Sequence, residues 1–552
     1  MFTTDCRLMF GCLTIAAVFG ASSASVAAAP PRLNSLFPAG AQPGQTVTVT
    51  ASGSFERWPV NAWAERPGVE ITAAEEKGKL SIKVAADARP GVCWIRLYDD
   101  EGATPPRPFF IGTLPELNEV EPNDDWRKPQ VLESSAVVVN GRLEKNGDVD
   151  TFAVRLTKGQ TVVASMEANR TLGSAVDTSL QILSADGFVL DQSDDYHELD
   201  PQIVFTAPAD GMYLVRTFGF PATPDSSIRF SGGADFVYRL TITTGGFVEY
   251  TMPLAVPRPP ADATGEPLIV ELFGWNLSEA TKKLPLTLPT TGEFALVCHP
   301  ELANTAAVQL VARASILEQE PTDAERPQEI ALPATITGRI APARDADWFR
   351  FQAKKGESLV FRVDSRSLGF PLDPVVRVTD SAGKTLAEND DSGGGRDAEL
   401  AFSVPADGEY RVVVRDLHGH GGDRYVYRLS ATQPVPDFAL KVAADSFVLT
   451  PGKPLEIPVT VERSNGYAGE IEISVTGLPD GISAAPAKSL AQGDSSKSVK
   501  LTITSTAGPT AAPFRIVGAA TGEPARSRAA VAPVASVNSI TADLWLTVLK
   551  GQ

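Results

Sequence analysis

Cysteine, histidine and long apolar runs are all scarce in this chain, and each scarcity removes a class of answers. There are four cysteines and four histidines in 552 residues. Cys6 and Cys12 fall in the N-terminal leader described below, which leaves Cys93 and Cys298 far apart in the chain. Both sit in apolar, strand-like contexts, VCWIRL and ALVCHP, so two buried thiols are expected rather than a disulfide. Two thiols are also too few for a structural zinc site. Past the leader no stretch reaches the ~18 consecutive apolar residues of a membrane-spanning helix, which predicts no membrane insertion. Basic residues are in deficit: 49 Lys and Arg face 67 Asp and Glu, for a net charge of −18. Such a polyanion repels nucleic acid and anionic lipid. Its carboxylates suit hard cations such as calcium instead.

What is present begins with an address. Arg7 precedes an apolar run from Leu8 to Phe19, and a small-residue stretch, ASSASVAAA (21–29), follows. This tripartite pattern predicts a secretory signal over residues 1–27, with cleavage after Ala27 because Pro30 disfavours a cut after Ala29. Met9-Phe10-Gly11 before Cys12 is a poor lipobox, so a secreted protein is expected, in the periplasm, at the cell surface or outside the cell.

Helical periodicity is almost missing, while alternation with period two is everywhere. In LEIPVTV (455–461), Leu455, Ile457, Val459 and Val461 share one face and Glu456, Pro458 and Thr460 the other. EIEISV (470–475), SLVFRVD (358–364) and YRVVVR (410–415) repeat the pattern of sheets with one wet face. Turn signals such as KGQ, ADG and LPDG separate the strands, and 45 Gly and 43 Pro punctuate the whole. The class implied is all-β, a tandem array of β-sandwiches. The most helical segment, NLSEATKKL (276–284), is too short to alter it.

The chain also repeats itself. GRLEKNGDVDTF (141–152) returns as GRIAPARDADWF (338–349), and TAPADGMY (206–213) as SVPADGEY (403–410), at a constant offset of 197. Both copies close on similar strands, FVYRLTI (236–242) and YVYRLSA (425–431). A repeat of roughly 110 residues is a domain array, not a short solenoid. Proline and polar clusters then divide the chain into a small immunoglobulin-like domain (28–114), the first repeat (115–246), a second small β domain (247–316), the second repeat (317–433) and a final sandwich (434–552).

The ordered features of the repeats are EVEPNDD (119–125), DVDTF (148–152), KGQ, SDDY (193–196) and PADGMY (208–213). The second copy has EQEPTDA (318–324), DADWF (345–349), KGE, NDDSGGG (389–395) and PADGEY (405–410). This combination resembles the bacterial pre-peptidase C-terminal domain, a β-sandwich family that accompanies secreted proteases and other exported proteins. The first small domain is similar to the IPT/TIG immunoglobulin-like fold, which the second small domain could share, and the last is similar to immunoglobulin-like modules of secreted bacterial proteins. The two repeats also resemble the collagen-binding domains of clostridial collagenases. That resemblance implies a calcium site built from Glu119, Glu121, Asn123 and Asp124 with Asp148 and Asp150 of the next strand. The second copy offers Glu318, Glu320, Asp323, Asp345 and Asp347, but Thr322 replaces the asparagine and removes a carbonyl ligand. Alternate spacing places Glu119, Glu121 and Asn123 on one side of an extended segment. The competing reading is a solvated acidic linker whose Asp150 and Asp347 cap a turn.

Other constellations carry less. Ser392 in NDDSGGG looks like the nucleophile context of trypsin-like proteases, but no histidine stands in the matching context, so a turn serine is expected. His418 and His420 in LHGHGGD (417–423) are read as a hairpin tip, with a transition-metal site beside Asp416 or Asp423 as the alternative. Tyr213 and Tyr410 look like corner tyrosines. Phe218 and Phe220 are read as packing residues before a ligand platform. No nucleophile–base pair emerges, and small β domains account for almost every segment. The expectation is therefore an exported, non-enzymatic protein that binds an unidentified extracellular or envelope protein or glycan. The alternatives are an unrecognised secreted hydrolase or the accessory region of one, and a purely structural surface spacer.

Overall fold

The computed structural model describes residues 29–223, 226, 229–258, 267–289, 294–312, 315–520, 525–534 and 537–551. The expected signal peptide, with Cys12, and residues 259–260 of the proline-rich linker lie outside these described residues. Strands dominate, and among the described residues the one α-helix is the four-residue Asn169–Leu172. NLSEATKKL forms turns closed by Ser278 O, which accepts the N–H groups of Thr281 and Lys282.

The duplicated units are two-layer sandwiches of identical topology. In the first, one sheet runs Glu116–Asn118, Ala136–Arg142, Val237–Thr243, Thr161–Glu167, Gln202–Thr206. The facing sheet runs Gln130–Val131, Asp150–Leu156, Gly211–Pro221, Val176–Ser184, Val189–Ser193. The second unit repeats both orders, strand for strand, from Ser315–Leu317 to Val426–Thr432. Asp150 pairs with Thr217 and Asp347 with Val414, so the repeated aspartates occupy equivalent rungs. Alternation buries one face of each strand: Phe349, Phe351, Leu359, Phe361 and Val363 meet in the second core, all at 2% exposure or less. Burying each such side chain is worth about 1.5–3 kcal/mol. Tyr213 and Tyr410 do form the expected corners, donating to Ala209 O (2.9 Å) and Ala406 O (2.7 Å).

Three further cores lie around Leu33–Ile111, Val248–Leu310 and Phe438–Val548. The expectation for Cys298 needs correction, because its thiol is exposed while that of Cys93 is buried. Ala295 and Val297 point inward from strand Phe294–Val297, so the next residue in the alternation turns out to solvent.

The array does not run end to end as a rod. Arg96, 1% exposed, donates to Asp445 Oδ2 at 2.9 Å, which joins the first sandwich to the last. Trp545 of the last sandwich packs against Trp63 and Tyr98 of the first, with ring centroids 6.0 and 4.7 Å apart. Arg424 of the second repeat reaches Glu249 Oε1 at 2.7 Å and lies 3.6 Å over the ring of Tyr196 in the first repeat. These contacts join the first sandwich to the last and the first repeat to the second.

Candidate metal centre

Strand Glu116–Asn118 pairs in parallel with Ala136–Arg142, and that register delivers the acidic segment to the end of the sandwich. Glu119 N–H donates to Asn140 O (2.9 Å), and Glu119 Oε1 accepts Arg142 N–H (2.7 Å). From the facing sheet, Asp150 opens strand Asp150–Leu156 and is fully buried. Ligand oxygens of Glu119, Glu121 and Asp150 lie within 4.8 Å of one another. The same holds for Glu318, Glu320 and Asp347 in the second copy. The acidic segments are therefore not merely solvated linkers.

A tyrosine absent from the sequence reading completes each cluster. Tyr238 Oη donates to Asp150 Oδ2 at 2.6 Å and lies 3.2 Å from Glu119 Oε2. Tyr427 Oη donates to Asp347 Oδ2 at 2.7 Å. Each ring crosses a glycine to get there: a Cβ on Gly141 would stand 2.1 Å from Tyr238 Cζ, and one on Gly338 2.3 Å from Tyr427 Oη. That close approach explains the repeated Gly-Arg pair. The repeated Tyr-Arg-Leu strands carried the signal, but their period-two pattern marks only a strand and not what its tyrosine touches.

The two copies differ in what their oxygens lack. In the first, Glu121 Oε1, Asn123 Oδ1 and Asp150 Oδ1 are buried without a hydrogen-bond donor. Asn123 is 1% exposed, and its amide nitrogen is unpartnered as well. Asp148 Oδ2 accepts Glu144 N–H, and its Oδ1 lies 3.4 Å from the exposed Lys145 ammonium. Asp124 stands at the rim, paired with Lys145 at 3.6 Å, outside the group of three. In the second copy, Thr322 Oγ1 donates to Glu318 Oε1 (3.1 Å), so the threonine satisfies an acid where an asparagine could ligate. Two residues expected there do not converge. Asp323 turns to its own loop and pairs with Arg326, three residues on, and Asp345 accepts the N–H groups of Ala341 and Ala346.

Burial pushes Asp150 and Glu119 well above the ordinary carboxylate range, and the negative neighbours add to it: Glu119 for Asp150, Glu121 for Glu119. Asp347 and Glu318 are raised for the same reasons. A cation seated in either cluster would offset the charge that burial and the neighbouring carboxylates penalise. Buried, donor-less carboxylate and amide oxygens fit the oxygen shell that calcium takes, and the first copy has the fuller set.

The family model of the bacterial pre-peptidase C-terminal domain (PPC) matches residues 148–219 and 345–416. The chain carries two PPC domains. PPC domains are accessory, non-catalytic modules. Both matches begin at the first aspartate of the Asp-x-Asp strand, so the acidic openings and the two tyrosines lie outside them. A stretch of 133 residues is 28% identical to a probable subtilase-type serine protease of Deinococcus radiodurans, and it spans 18% of that protein and 22% of this chain. Among solved structures, the pre-peptidase C-terminal domain of a Bacillus anthracis collagenase is 17% identical. That match covers all of the domain and 21% of this chain, with a TM-score of 0.16. A periplasmic lysozyme inhibitor, PliG, of Aeromonas hydrophila is 14% identical, covering 98% of that protein and 22% of this chain, at the same TM-score of 0.16.

The remaining candidates are placed elsewhere. Ser392 closes a tight turn in which its carbonyl accepts Gly395 N–H (3.0 Å). His197 meets Arg424 at the junction of the two PPC domains, His299 accepts Glu301 N–H, and His418 and His420 face Asp373 and Asp416. Phe218, Phe220 and Phe230 pack on one another, with Phe218 stacked 4.4 Å from Phe230. Among the described residues no helix is long and apolar enough to cross a membrane.

Proposed function

We propose that this chain is an exported, non-enzymatic binding protein whose PPC domains are stiffened by calcium and which engages an extracellular or envelope protein or glycan. The observation that carries the reading is the first acidic cluster. Folding brings Glu119, Glu121 and Asp150 within 4.8 Å of one another and leaves buried oxygens of Glu121, Asn123 and Asp150 without a donor. A bound cation would tie the segment entering the domain to the strand of the facing sheet, and so fix how neighbouring domains are held. The net charge of −18 argues against nucleic acid as the ligand. The test is a pull-down of the full chain against matrix proteins, glycans and envelope fractions, with calcium and with chelator. Calcium-dependent retention of one class supports the proposal. Turnover of a peptide or glycan panel by the purified chain overturns the non-enzymatic part.

One observation favours a second reading, service as the accessory partner of a secreted peptidase: the aligned stretch belongs to a probable serine protease. Co-purification with a peptidase, in place of matrix or glycan, would decide for it.

A further inference from the structure

We propose that the cleft where the two PPC domains meet the last sandwich binds an acidic oligosaccharide, whose carboxylates are held by Arg170 and Arg366. This rests on the reading of the chain as an exported binding protein and goes beyond it by naming a site and a ligand class. The cleft has a volume of about 840 Å³, within the range of about 300–1,000 Å³ usual for ligand sites, which favour domain junctions. Arg170 and Glu198 enter from the first repeat, Arg366 and Ser367 from the second, and Asn538 and Ser539 from the last sandwich.

The two arginines sit on one device that occurs once in each repeat. Residues 170–173 read RTLG and residues 366–369 read RSLG. Each forms a single helical turn, Asn169–Leu172 and Arg366–Leu368, ended by a glycine in the left-handed region, Gly173 at φ 64° and Gly369 at φ 88°. The leucines anchor the turns: Leu172 clusters with Phe110 and Val237, and Leu368 with Tyr250, Phe370 and Val426. An aspartate fastens each backbone. Asp200 accepts the N–H groups of Ala168 (3.1 Å), Asn169 (2.7 Å) and Arg170 (3.2 Å). Asp397 accepts those of Ser365 (2.9 Å), Arg366 (2.8 Å) and Ser367 (3.1 Å). These N–H groups are therefore spent, and the side chains are what remains to meet a ligand.

Glycine, leucine and aspartate each have a task inside the turn, whereas the arginine has none. Both arginines are exposed, and neither side chain forms an ion pair or hydrogen bond with a described residue. Acids outnumber bases 67 to 49, and buried or half-buried arginines at other junctions do find one: Arg96 pairs with Asp445 and Arg424 with Glu249. Two unpaired guanidiniums on one cleft, in a chain with acids to spare, are placed for the anionic groups of a ligand, and carboxylate fits the guanidinium fork. The net charge of −18 and Glu198 in the same cleft disfavour a dense polyanion. They favour a ligand whose carboxylates are spaced among neutral groups. Ser367, Asn538, Ser539 and Glu198 offer donors and acceptors for sugar hydroxyls, while no aromatic ring among the described residues lines the cleft to stack a neutral sugar. The walls are set in advance. Arg424 donates to Glu249 Oε1 (2.7 Å) and to Tyr196 O (3.1 Å), two residues before Glu198, so the ligand need not order the two repeats.

The experiment titrates the full chain, in calcium-containing buffer, with a tetrasaccharide carrying two glucuronates, read by calorimetry at low and at physiological salt. Its carboxyl-reduced form and a tetraglutamate peptide are the comparison ligands. One tetrasaccharide should bind per chain, more weakly as salt rises. Carboxyl reduction and the double variant Arg170→Ala/Arg366→Ala should each weaken binding by about tenfold or more, and each single variant should lose part of that. Both side chains are exposed, so the double variant should melt as the wild type does. Absence of binding by the wild-type chain overturns the proposal, as does equal affinity for the carboxyl-reduced sugar or binding that survives the double variant. Tetraglutamate bound as tightly as the sugar would make the cleft a peptide site and overturn the glycan assignment. Retention on glycans in the pull-down that the double variant keeps would sink this site and leave the binding function standing. Failure of the wild-type chain to be retained by anything would sink the binding function itself.

Discussion

Calcium binding to the first PPC domain should release protons, and the geometry sets how much. Ligand oxygens of Asp150, Glu119 and Glu121 lie within 4.8 Å of one another. Two full charges at that distance repel by roughly 3–4 kcal/mol at an effective dielectric near 20. Burial adds to this, so Asp150 and Glu119 keep protons above the ordinary carboxylate range. Their raised values fix the sign. The stability they contribute is full below the unfolded carboxylate range and is lost as pH rises through the folded values, so the calcium-free domain weakens from mildly acidic to alkaline pH. Calcium must displace those protons, and their number is what binding releases. Calorimetry of the full chain in buffers of different ionisation enthalpy reads this number as a slope. At about 100 times its dissociation constant the ion adds roughly 2.7 kcal/mol, enough to raise the melting temperature by several degrees. Asp150→Asn keeps the shape and an oxygen for Tyr238 but removes the proton that calcium would displace and the carboxylate it would meet. It should leave calcium-free stability unchanged or higher and abolish both the proton release and the thermal shift of this domain. A buffer-independent heat, or a variant as responsive as the wild type, would refute the argument.

Three other outcomes follow from the same coordinates. Burial raises Asp200 to about 6, although it accepts the N–H groups of Ala168, Asn169 and Arg170. Its stabilising contribution is therefore present below its unfolded value and lost as pH rises through about 6, and denaturant melts from pH 4 to 7 should show this decline against Asp200→Asn. Gly141→Ala puts a methyl group into the Tyr238 ring and should cost about 1–3 kcal/mol while weakening calcium binding, read by denaturant melts and calorimetry. Arg96→Ala strands Asp445 at the seam between the first and last sandwiches. It should cost about 3–5 kcal/mol of that contact and enlarge the radius of gyration in small-angle scattering.

Strand-level order was legible because sheets announce themselves locally. Leu455, Ile457, Val459 and Val461 alternate inward in the fold as they alternate in the sequence, with Ile457 and Val459 fully buried. The repeat offset likewise anticipated that Asp150 and Asp347 take equivalent rungs. The centre was half legible. Glu119, Glu121 and Asp150 converge, but the tyrosines complete the clusters from strands that begin 87 and 80 residues after the aspartate strands, at Val237 and Val426. Only the register of a closed sheet brings them back. Asp323 and Asp345 went astray because a neighbouring guanidinium or backbone N–H reaches them before another acid does. The closure of the array was invisible: Arg96 and Asp445 are 349 residues apart, and nothing local marks them as partners.

Duplication lets the same place on one scaffold differ between its two copies. Both copies need the glycine, the tyrosine and the inward aspartate, because these three together shape the end of the sandwich. Beyond that frame each copy is free to change. The first keeps Asn123, whose buried amide oxygen has no donor, and so retains a cluster poised for a cation. The second replaces it with Thr322, whose hydroxyl donates to Glu318 and satisfies part of the acid group internally. Its remaining donor-less carboxylate oxygens, on Asp347 and Asp373, lie at separate places on the same sandwich. A copy relieved of one constraint can lose part of its ligand set without disturbing the fold, because Gly338, Tyr427 and Asp347 still close the end of the sandwich.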